Sequence, residues 1–322
     1  MRIKKEYKKE DKLTGVILAA GEGSRMQPFS EKLPKALLPI CNKLLIEYQI
    51  EAMKKAGIVD IIVLVGSNGF SIVDKTGSGE KYGVKIKYVE QKERLGIAHA
   101  VGKLEQHIKN PFLLFLGDIF FITKDISEMI GLFQKDNLNA VLATKIENDN
   151  EAIKKNFSVI EDKKGFVRRV IEKPRYIENN IKGCGIYLFD LHVFDAIRRT
   201  PRTAMRDEYE ITDSIQILIE DGFKIKTSNI IEDDINLTYP KDILNANMIE
   251  LKRIGETKII GKDSDIKDEN KVINSVIGDN VVIKEKIRIM NSVILSDCIV
   301  TSDKDLNNTV ASPEVIVDCS NP

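Results

Sequence analysis

From Ile277 onward, branched apolar residues return at every sixth position, Ile277, Ile283, Ile289 and Leu295, and each is followed four places on by another: Val281, Ile287, Val293 and Ile299. A period of six fits neither the 3.6-residue turn of a helix nor the two-residue alternation of an ordinary strand. With Gly, Asp and Asn between the apolar positions, it is the pattern of a hexapeptide coil, the left-handed parallel β-helix, in which each coil buries its branched residues inside a prism. The competing reading is a short β-meander. An earlier set, Ile260, Ile266 and Val272, keeps the spacing but is offset from the later one by a residue. At about eighteen residues per three-sided turn, the tail has room for about three or four coils.

Ahead of this tail the pattern differs. From residue 15 to about 254, short apolar runs alternate with stretches of helical spacing, which predicts a largely parallel sheet covered by helices. GVILAA (15–20), DIIVLVG (60–66), VKIKYVEQ (84–91), FLLFLGD (112–118) and NAVLATKI (139–146) read as strands. LLIEYQIEAMKKAG (44–57) and GIAHAVGKLEQHI (96–108) read as helices, the first capped by Gly57, and PKDILNANMIELKRIG (240–255) carries Pro240 at a helix start and Gly255 past its end. The predicted fold class is α/β: a Rossmann-like mixed, mostly parallel sheet covered by helices, plus a short C-terminal left-handed parallel β-helix. Residues 1–14 read as a flexible charged leader, 15–254 as the α/β domain and 255–322 as the β-helix.

Lys plus Arg and Asp plus Glu balance at 49 each, which argues against a nucleic-acid-coating surface or an anionic membrane as the main partner. No run of about eighteen apolar residues occurs, so no transmembrane helix is read, and the leader lacks a signal peptide's apolar stretch. Cys41, Cys184, Cys298 and Cys319 are far apart and show no metal or redox spacing, so a reducing cytoplasm is the expected setting.

The stretch GVILAAGEGSRMQPFSEKLPKALLPI (15–40) starts as a strand running into a glycine turn, then departs from a dinucleotide-binding fingerprint. Met26 stands where a third glycine would be, and Pro28, Pro34 and Pro39 interrupt the expected helix, which counts against an NAD-dependent dehydrogenase. Gly21 and Gly23 let backbone N–H groups approach a phosphate, and Arg25 and Lys35 add charge to that cradle.

The whole string, with P-K-A-L-L-P starting at Pro34, resembles the signature of the sugar-phosphate nucleotidyltransferases, the NDP-sugar pyrophosphorylases, and the resemblance covers residues 15 to about 254. It implies that this span is a nucleotidyltransferase catalytic domain joining an NTP to a sugar 1-phosphate with Mg²⁺ and release of pyrophosphate. Arg25 would then hold the triphosphate and stabilise charge on the α-phosphoryl group, Lys35 would anchor the phosphates, and Ala20, Gly21, Gly23 and Ser24 would line the nucleotide loop. In EQKERLGIAHA, Gln91 and Gly96 match the residues that read the base. An amide offers a donor and an acceptor together, which suits the N3–H and neighbouring carbonyl of uracil or thymine. His99 reads as helix-start packing or a local hydrogen bond. Asp118 of LFLGDIFF, just beyond an apolar strand, matches the metal carboxylate, and Asn236 of DDINLTYPKDIL matches the second metal ligand, with Asp234 as a neighbour that could take the role. Glu172 and Lys173 of VIEKPRY match the residues for the sugar hydroxyls and the sugar 1-phosphate, and Gly185 of GCGIYLFD the glycine against which the sugar packs. Glu210 and Asp213 read as structural, capping the helix that follows. Relatives commonly carry Gly where this chain has Ser158, which bears on the sugar accepted.

The implied reaction is in-line attack by a sugar 1-phosphate oxygen on the α-phosphorus of an NTP, UTP or dTTP being favoured and the sugar being glucose-like. Two rivals are a bifunctional nucleotidyltransferase/acyltransferase and a catalytically silent regulatory paralogue. Acyl-transfer sites on hexapeptide coils generally use a histidine base, and His192 is the last histidine of the chain. The tail is therefore read as an oligomerisation or regulatory module, and a homo-oligomer through the β-helix is expected.

Overall fold

The computed structural model describes residues 12–31, 33–67, 69–204 and 206–320; residues 1–11 of the charged leader lie outside the described residues. By compactness the chain divides into two units, one of Met1–Gly21, Gln49–Gly117 and Phe121–Asp234, the other of Glu22–Tyr48, Asp118–Phe120 and Ile235–Pro322. The glycine-loop arm and the helix before Gly255 thus group with the hexapeptide tail, a different cut from the boundary read at residue 254.

The first unit is built on nine strands: β1 (Thr14–Ala19), β2 (Asp60–Val65), β3 (Lys85–Glu90), β4 (Phe112–Leu116), β5 (Ala140–Ile146), β6 (Phe157–Glu161), β7 (Val167–Glu172), β8 (Ile181–Phe189) and β9 (Ile225–Ser228). They lie in the order β7-β6-β8-β4-β1-β2-β3, with β5 also paired to β8 and β9 to β5. β1 is parallel to both β2 and β4, and β2 to β3, whereas β8 is antiparallel to β4, β5 and β6. Parallel neighbours need crossover helices, and the sheet's wholly apolar middle strands, with Val16, Ile17, Leu114 and Phe115 buried, reflect cover on both faces. The first crossover helix, α1 (Leu45–Lys55), buries Leu45, Ile46, Ile50 and Met53. Gly57 ends it at φ +80°, with Gly57 N bonding to Lys54 O and Ile58 N to Met53 O, the paired closure of a glycine-capped helix.

The helix expected over residues 96–108 is shorter, Ile97–Gly102. Beyond it the chain runs in turns closed by i→i−3 bonds, Leu104 N to Val101 O (2.9 Å) and His107 N to Leu104 O (2.8 Å). Gly102 is a poor helix former, and a Cβ there would lie 3.1 Å from Ile197, so close packing takes precedence over helix propensity at that point.

The chain leaves β1 toward β2 on one side and returns as β4 on the other, so the carboxyl ends of β1 and β4 form the switch point where ligands of open α/β sheets bind. There Gly117 N bonds to Leu18 O (2.9 Å), and a Cβ on Gly117 would lie 2.5 Å from that oxygen. Among the described residues no helix is long and apolar enough to cross a membrane.

The second unit contains a three-sided parallel β-helix. One side stacks Lys258–Ile260, Ser275–Ile277, Val293–Ile294 and Thr309–Ala311; the second Asp265–Ile266, Val282–Ile283 and Ile299–Val300; the third Val272–Ile273, Ile289–Met290 and Leu306–Asn307. Ile316–Asp318 closes the first side antiparallel. Lys258 faces Ser275, Val282 faces Ile299 and Ile289 faces Leu306, so each coil is 17 residues, not about eighteen. Ile260, Ile266 and Val272 stand above Ile277, Ile283 and Ile289, which stand above Ile294, Val300 and Leu306. Two steps of six and one of five make a coil, which is why the earlier set is offset by one. A strict count of six therefore overruns: Ile294 takes the register expected of Leu295, and Ile299 points outward, 63% exposed.

The five-residue step turns on an Asn-Ser/Thr pair repeated every 17 residues. Asn274, Asn291 and Asn308 adopt φ of +44°, +46° and +50°, the left-handed region that Asn tolerates best after Gly. A buried hydroxyl follows each, and the first two bridge coils: Ser275 Oγ donates to Ile273 O (2.8 Å) and accepts from Ser292 N (3.0 Å), and Ser292 Oγ donates to Met290 O (2.6 Å) and accepts from Thr309 N (3.1 Å). Ser292→Ala leaves the Thr309 N–H without its acceptor inside the stack. It is expected to lower the stability of the tail by about 1–3 kcal/mol in denaturant unfolding, whereas a shift under a few tenths would mean that the hydroxyl ladder is not what ties the coils.

The helix Pro240–Arg253 of this unit carries a buried Asn247 that accepts from Cys41 N (2.7 Å) and donates to Pro39 O (3.1 Å). Cys41 and Asn42, at φ +49° and +62°, turn the hairpin between Pro39–Ile40 and Lys43–Leu44, and Asn42 Nδ2 donates to Ile277 O of the β-helix (2.7 Å). The hairpin that follows Lys35 is thus held from two sides.

Candidate active site

In the second unit the arm after the glycine turn is anchored by the residue that breaks the fingerprint. Gly23 takes φ +69°, Met26 N bonds back to Gly23 O (2.8 Å), and Met26 is fully buried, which leaves Ser24 and Arg25 on the outside of a one-turn 3₁₀ helix. Ser30 Oγ donates to Gly23 O (2.6 Å), and a Cβ on Gly23 would lie 3.1 Å from Lys35 Cγ, so glycine allows the turn and the Lys35 stem to pack together. Pro34 leads into the third 3₁₀ turn of the arm, Lys35–Leu37, which buries Ala36 and Leu37 and leaves the Lys35 side chain 10% exposed. Lys35 Nζ reaches Asp118 Oδ2 at 3.1 Å.

Asp118 O accepts from Leu237 N (2.9 Å), which sets Asp118 beside the end of the strand Ile231–Asn236, and Asn236 Oδ1 accepts from Thr238 Oγ1 (3.2 Å). Lys35 and Asp118 are thus in contact, and Asn236 is the chain neighbour of Leu237, whose N–H holds Asp118 O. Among the described residues no cluster of three or more His, Cys, Asp or Glu could hold a metal ion. One carboxylate and one amide oxygen fit a cation that keeps most of its shell from water and phosphate, as Mg²⁺ does. Asp234 does not fit the role: its carboxylate lies 2.7 Å from Lys182 Nζ, and the two side chains are 5% and 4% exposed. Arg25 stands with its guanidinium 5.8 Å from the centroid of Tyr239, a partner that motif matching did not single out. Tyr239 N and Thr238 N both donate to Asp242, which fastens the start of the following helix.

In the first unit, Ala20 and Gly21 follow β1, and a Cβ on Gly21 would meet no atom within 4 Å, so packing does not demand glycine there. Gln91, just after β3, is nearly buried and lies with Nε2 3.4 Å from His99 Nδ1. Gly96 takes φ +100° because any Cβ would come 2.5 Å from Tyr209 O, and Tyr209 N and O bond to Leu95 O (2.7 Å) and Ala98 N (3.0 Å). His99 makes both contacts read from the sequence, packing on Tyr209 and a local hydrogen bond.

Glu172 ends β7 and Lys173 follows at φ +43°, its N–H bonding to Asn156 O (2.7 Å). Glu172 accepts from Arg206 (3.3 Å) and Thr212 (3.4 Å), and burial together with the nearby Glu210 raises its pKa. Glu210 stands at the N-cap of the helix Ile211–Glu220 but caps nothing; its carboxylate takes Arg206 at 2.9 Å instead. Arg206 was invisible to motif matching because it lies in a loop of no recognisable pattern. Gly185 holds φ +68° where the β8–β5 register shifts, between Gly183–Thr144 and Tyr187–Leu142. Ser158 is buried and pairs across strands with Lys182, as Phe157 does with Gly183. Directly paired residues share a sheet face, so the Ser158 side chain belongs to the Lys182 face and Phe157, paired with Glu172, to the other.

That Lys182 face carries a charge cluster that no motif announced. Lys145 and Lys182 stand opposite each other on β5 and β8; Asp233 takes Lys145 (2.8 Å), Asp234 takes Lys182 (2.7 Å), and Glu147 lies 3.6 Å from both. Burial disfavours the Lys182 ammonium, but Asp234 outweighs it and holds the pKa above its usual value. Lys182→Met strands the buried Asp234 carboxylate and is expected to cost about 3–5 kcal/mol in denaturant unfolding. Lys182→Met combined with Asp234→Leu should restore most of that loss; equal loss in both variants would show that Lys182 acts by packing alone.

The fold is that of nucleotide-sugar pyrophosphorylases of known structure. It aligns with UDP-glucose pyrophosphorylase complexed with UDP-glucose at a TM-score of 0.67, over 75% of this chain and 99% of that one, at 24% identity. The nucleotidyl transferase family profile matches residues 14–234. Low-salt glycan biosynthesis nucleotidyltransferase Agl11 of Haloferax volcanii is 36% identical over 81% of this chain and 71% of its own length. A glucose-1-phosphate thymidylyltransferase of Streptomyces antibioticus is 33% identical over 75% of this chain, which spans 65% of that protein's length. The chain belongs to the nucleotidyl transferase family.

Proposed function

We propose that this chain joins an NTP, UTP or dTTP, to a glucose-like sugar 1-phosphate, releasing pyrophosphate. The observation that supports this reading is the Lys35–Asp118 contact at 3.1 Å, with Asn236 next to the residue bonded to Asp118 O and Arg25 exposed on the same unit, groups suited to a polyphosphate and its cation. A sugar 1-phosphate oxygen attacks the α-phosphorus, the bond from that phosphorus to the pyrophosphate bridging oxygen breaks, and pyrophosphate leaves with its electron pair. The nucleophile is already an anion, so no general base is needed, and catalysis is alignment and charge neutralisation.

Arg25 and Lys35 hold the triphosphate over the loop of Ala20, Gly21, Gly23 and Ser24; Gln91 and Gly96 read the base. Lys173 pairs with the sugar 1-phosphate, Glu172 accepts from sugar hydroxyls and Gly185 offers backbone to the sugar. Asp118 and Asn236 would hold Mg²⁺, which supplies further neutralisation of phosphate charge. Residues 255–322 contain no histidine, which supports assembly or regulation as the tail's task, with a homo-oligomer as the working form. Four free cysteines support a reducing, cytoplasmic setting.

Pyrophosphate release measured with Mg²⁺ over a matrix of NTPs and sugar 1-phosphates is expected to peak with UTP or dTTP and a hexose 1-phosphate. No turnover with any pair by folded protein would overturn the reading in favour of a silent paralogue. Asp118→Asn should lower kcat by about 10²–10³-fold with the fold intact; near-normal turnover would remove Asp118 from the site. In solution, light scattering should give a mass at least twice that of one chain, and a monomer would leave the tail a regulatory role alone.

A further inference from the structure

A glutamine alone is a poor reader of pyrimidines. Rotated by half a turn, the same amide offers Oε1 to the N3–H of uracil or its amino group to the N3 lone pair of cytosine. Selectivity requires something that makes one orientation costly.

In this chain that second group is present. Gln91 is 5% exposed, and its Nε2 lies 3.4 Å from His99 Nδ1, while among the described residues no donor reaches its Oε1. The imidazole is itself held: it stacks on Tyr209 with centroids 6.2 Å apart at 23°, and Tyr209 is bonded through its backbone to Leu95 and Ala98 on either side of Gly96. Burial, and secondarily the Lys103 ammonium, lower the pKa of His99 against the opposing pull of Glu93, so the ring is neutral at pH 7 and one nitrogen is free to accept.

We propose that His99 is a positioning residue that fixes the Gln91 amide, Nε2 toward the imidazole and Oε1 toward the nucleotide, so that the site selects bases presenting an N–H there, uracil and thymine, and rejects cytosine. This rests on the nucleotidyl-transfer reading above, in which Gln91 meets the base. Turning the amide to suit cytosine sets Oε1 against the Nδ1 lone pair, acceptor facing acceptor. Sites whose polar groups are left unpaired by the wrong substrate discriminate far better than apolar pockets do.

The test is kcat/KM for UTP, dTTP and CTP in the full chain and in His99→Phe, which keeps a ring to stack on Tyr209 but has no lone pair. The preference for UTP over CTP should fall about tenfold or more in the variant. An unchanged ratio in an active variant overturns the proposal, whereas a wild-type chain with no turnover on any nucleotide overturns the nucleotidyl-transfer reading instead. Should His99→Phe not fold, nitrogen-15 NMR of the wild-type imidazole decides: the proton must reside on Nε2, and an Nδ1–H tautomer overturns the proposal.

Discussion

The backbone bond from Gly117 to Leu18 O is the constraint on which the edge of the first unit's sheet depends. It joins the ends of β4 and β1 where the chain, having run from β1 to β2 and β3 on one side, returns on the other, and only glycine can approach that carbonyl so closely. Asp118 is the next residue along the chain from Gly117, and Ala20 and Gly21 are the next after β1. Parallel pairing on both sides of β1 makes this position rigid before any side chain is considered.

Much of this was legible in the sequence because it rests on local, periodic signals. Apolar runs gave away the strands, Gly57 and Gly255 the helix ends, and the arm from Gly23 to Pro39 its unusual course. Lys35 and Asp118, both singled out by motif, stand in contact. What escaped were pairings that no motif announces: Arg206 with Glu172 and with Glu210, Lys182 with Asp234, Tyr239 with Arg25. Each joins a motif residue, or its immediate neighbour, to a side chain whose partner only the fold supplies. Glu210 shows the cost of a local rule used alone, since a good N-cap position lost its side chain to a nearby arginine.

The tail makes the same point in a different form. A period of six was correctly taken as a coil, yet the one-residue offset of Ile260, Ile266 and Val272 looked like an irregularity because the true unit is the 17-residue coil. The repeated Asn-Ser/Thr pair is visible in the sequence once that unit is known. Its left-handed Asn and buried hydroxyl explain why the shorter step falls where it does.

Asn42 and Asn247 tie the hairpin behind Lys35 to the second coil and to the helix before Gly255. Thermodynamic linkage then runs in both directions. If Lys35 holds a polyphosphate as proposed, a ligand that draws it into one arrangement steadies the hairpin and, through it, the coil, and whatever loosens the coil weakens that binding by the same factor. On that proposed reading the tail is a distant support of the arm that carries Lys35, reached through hydrogen bonds within one unit.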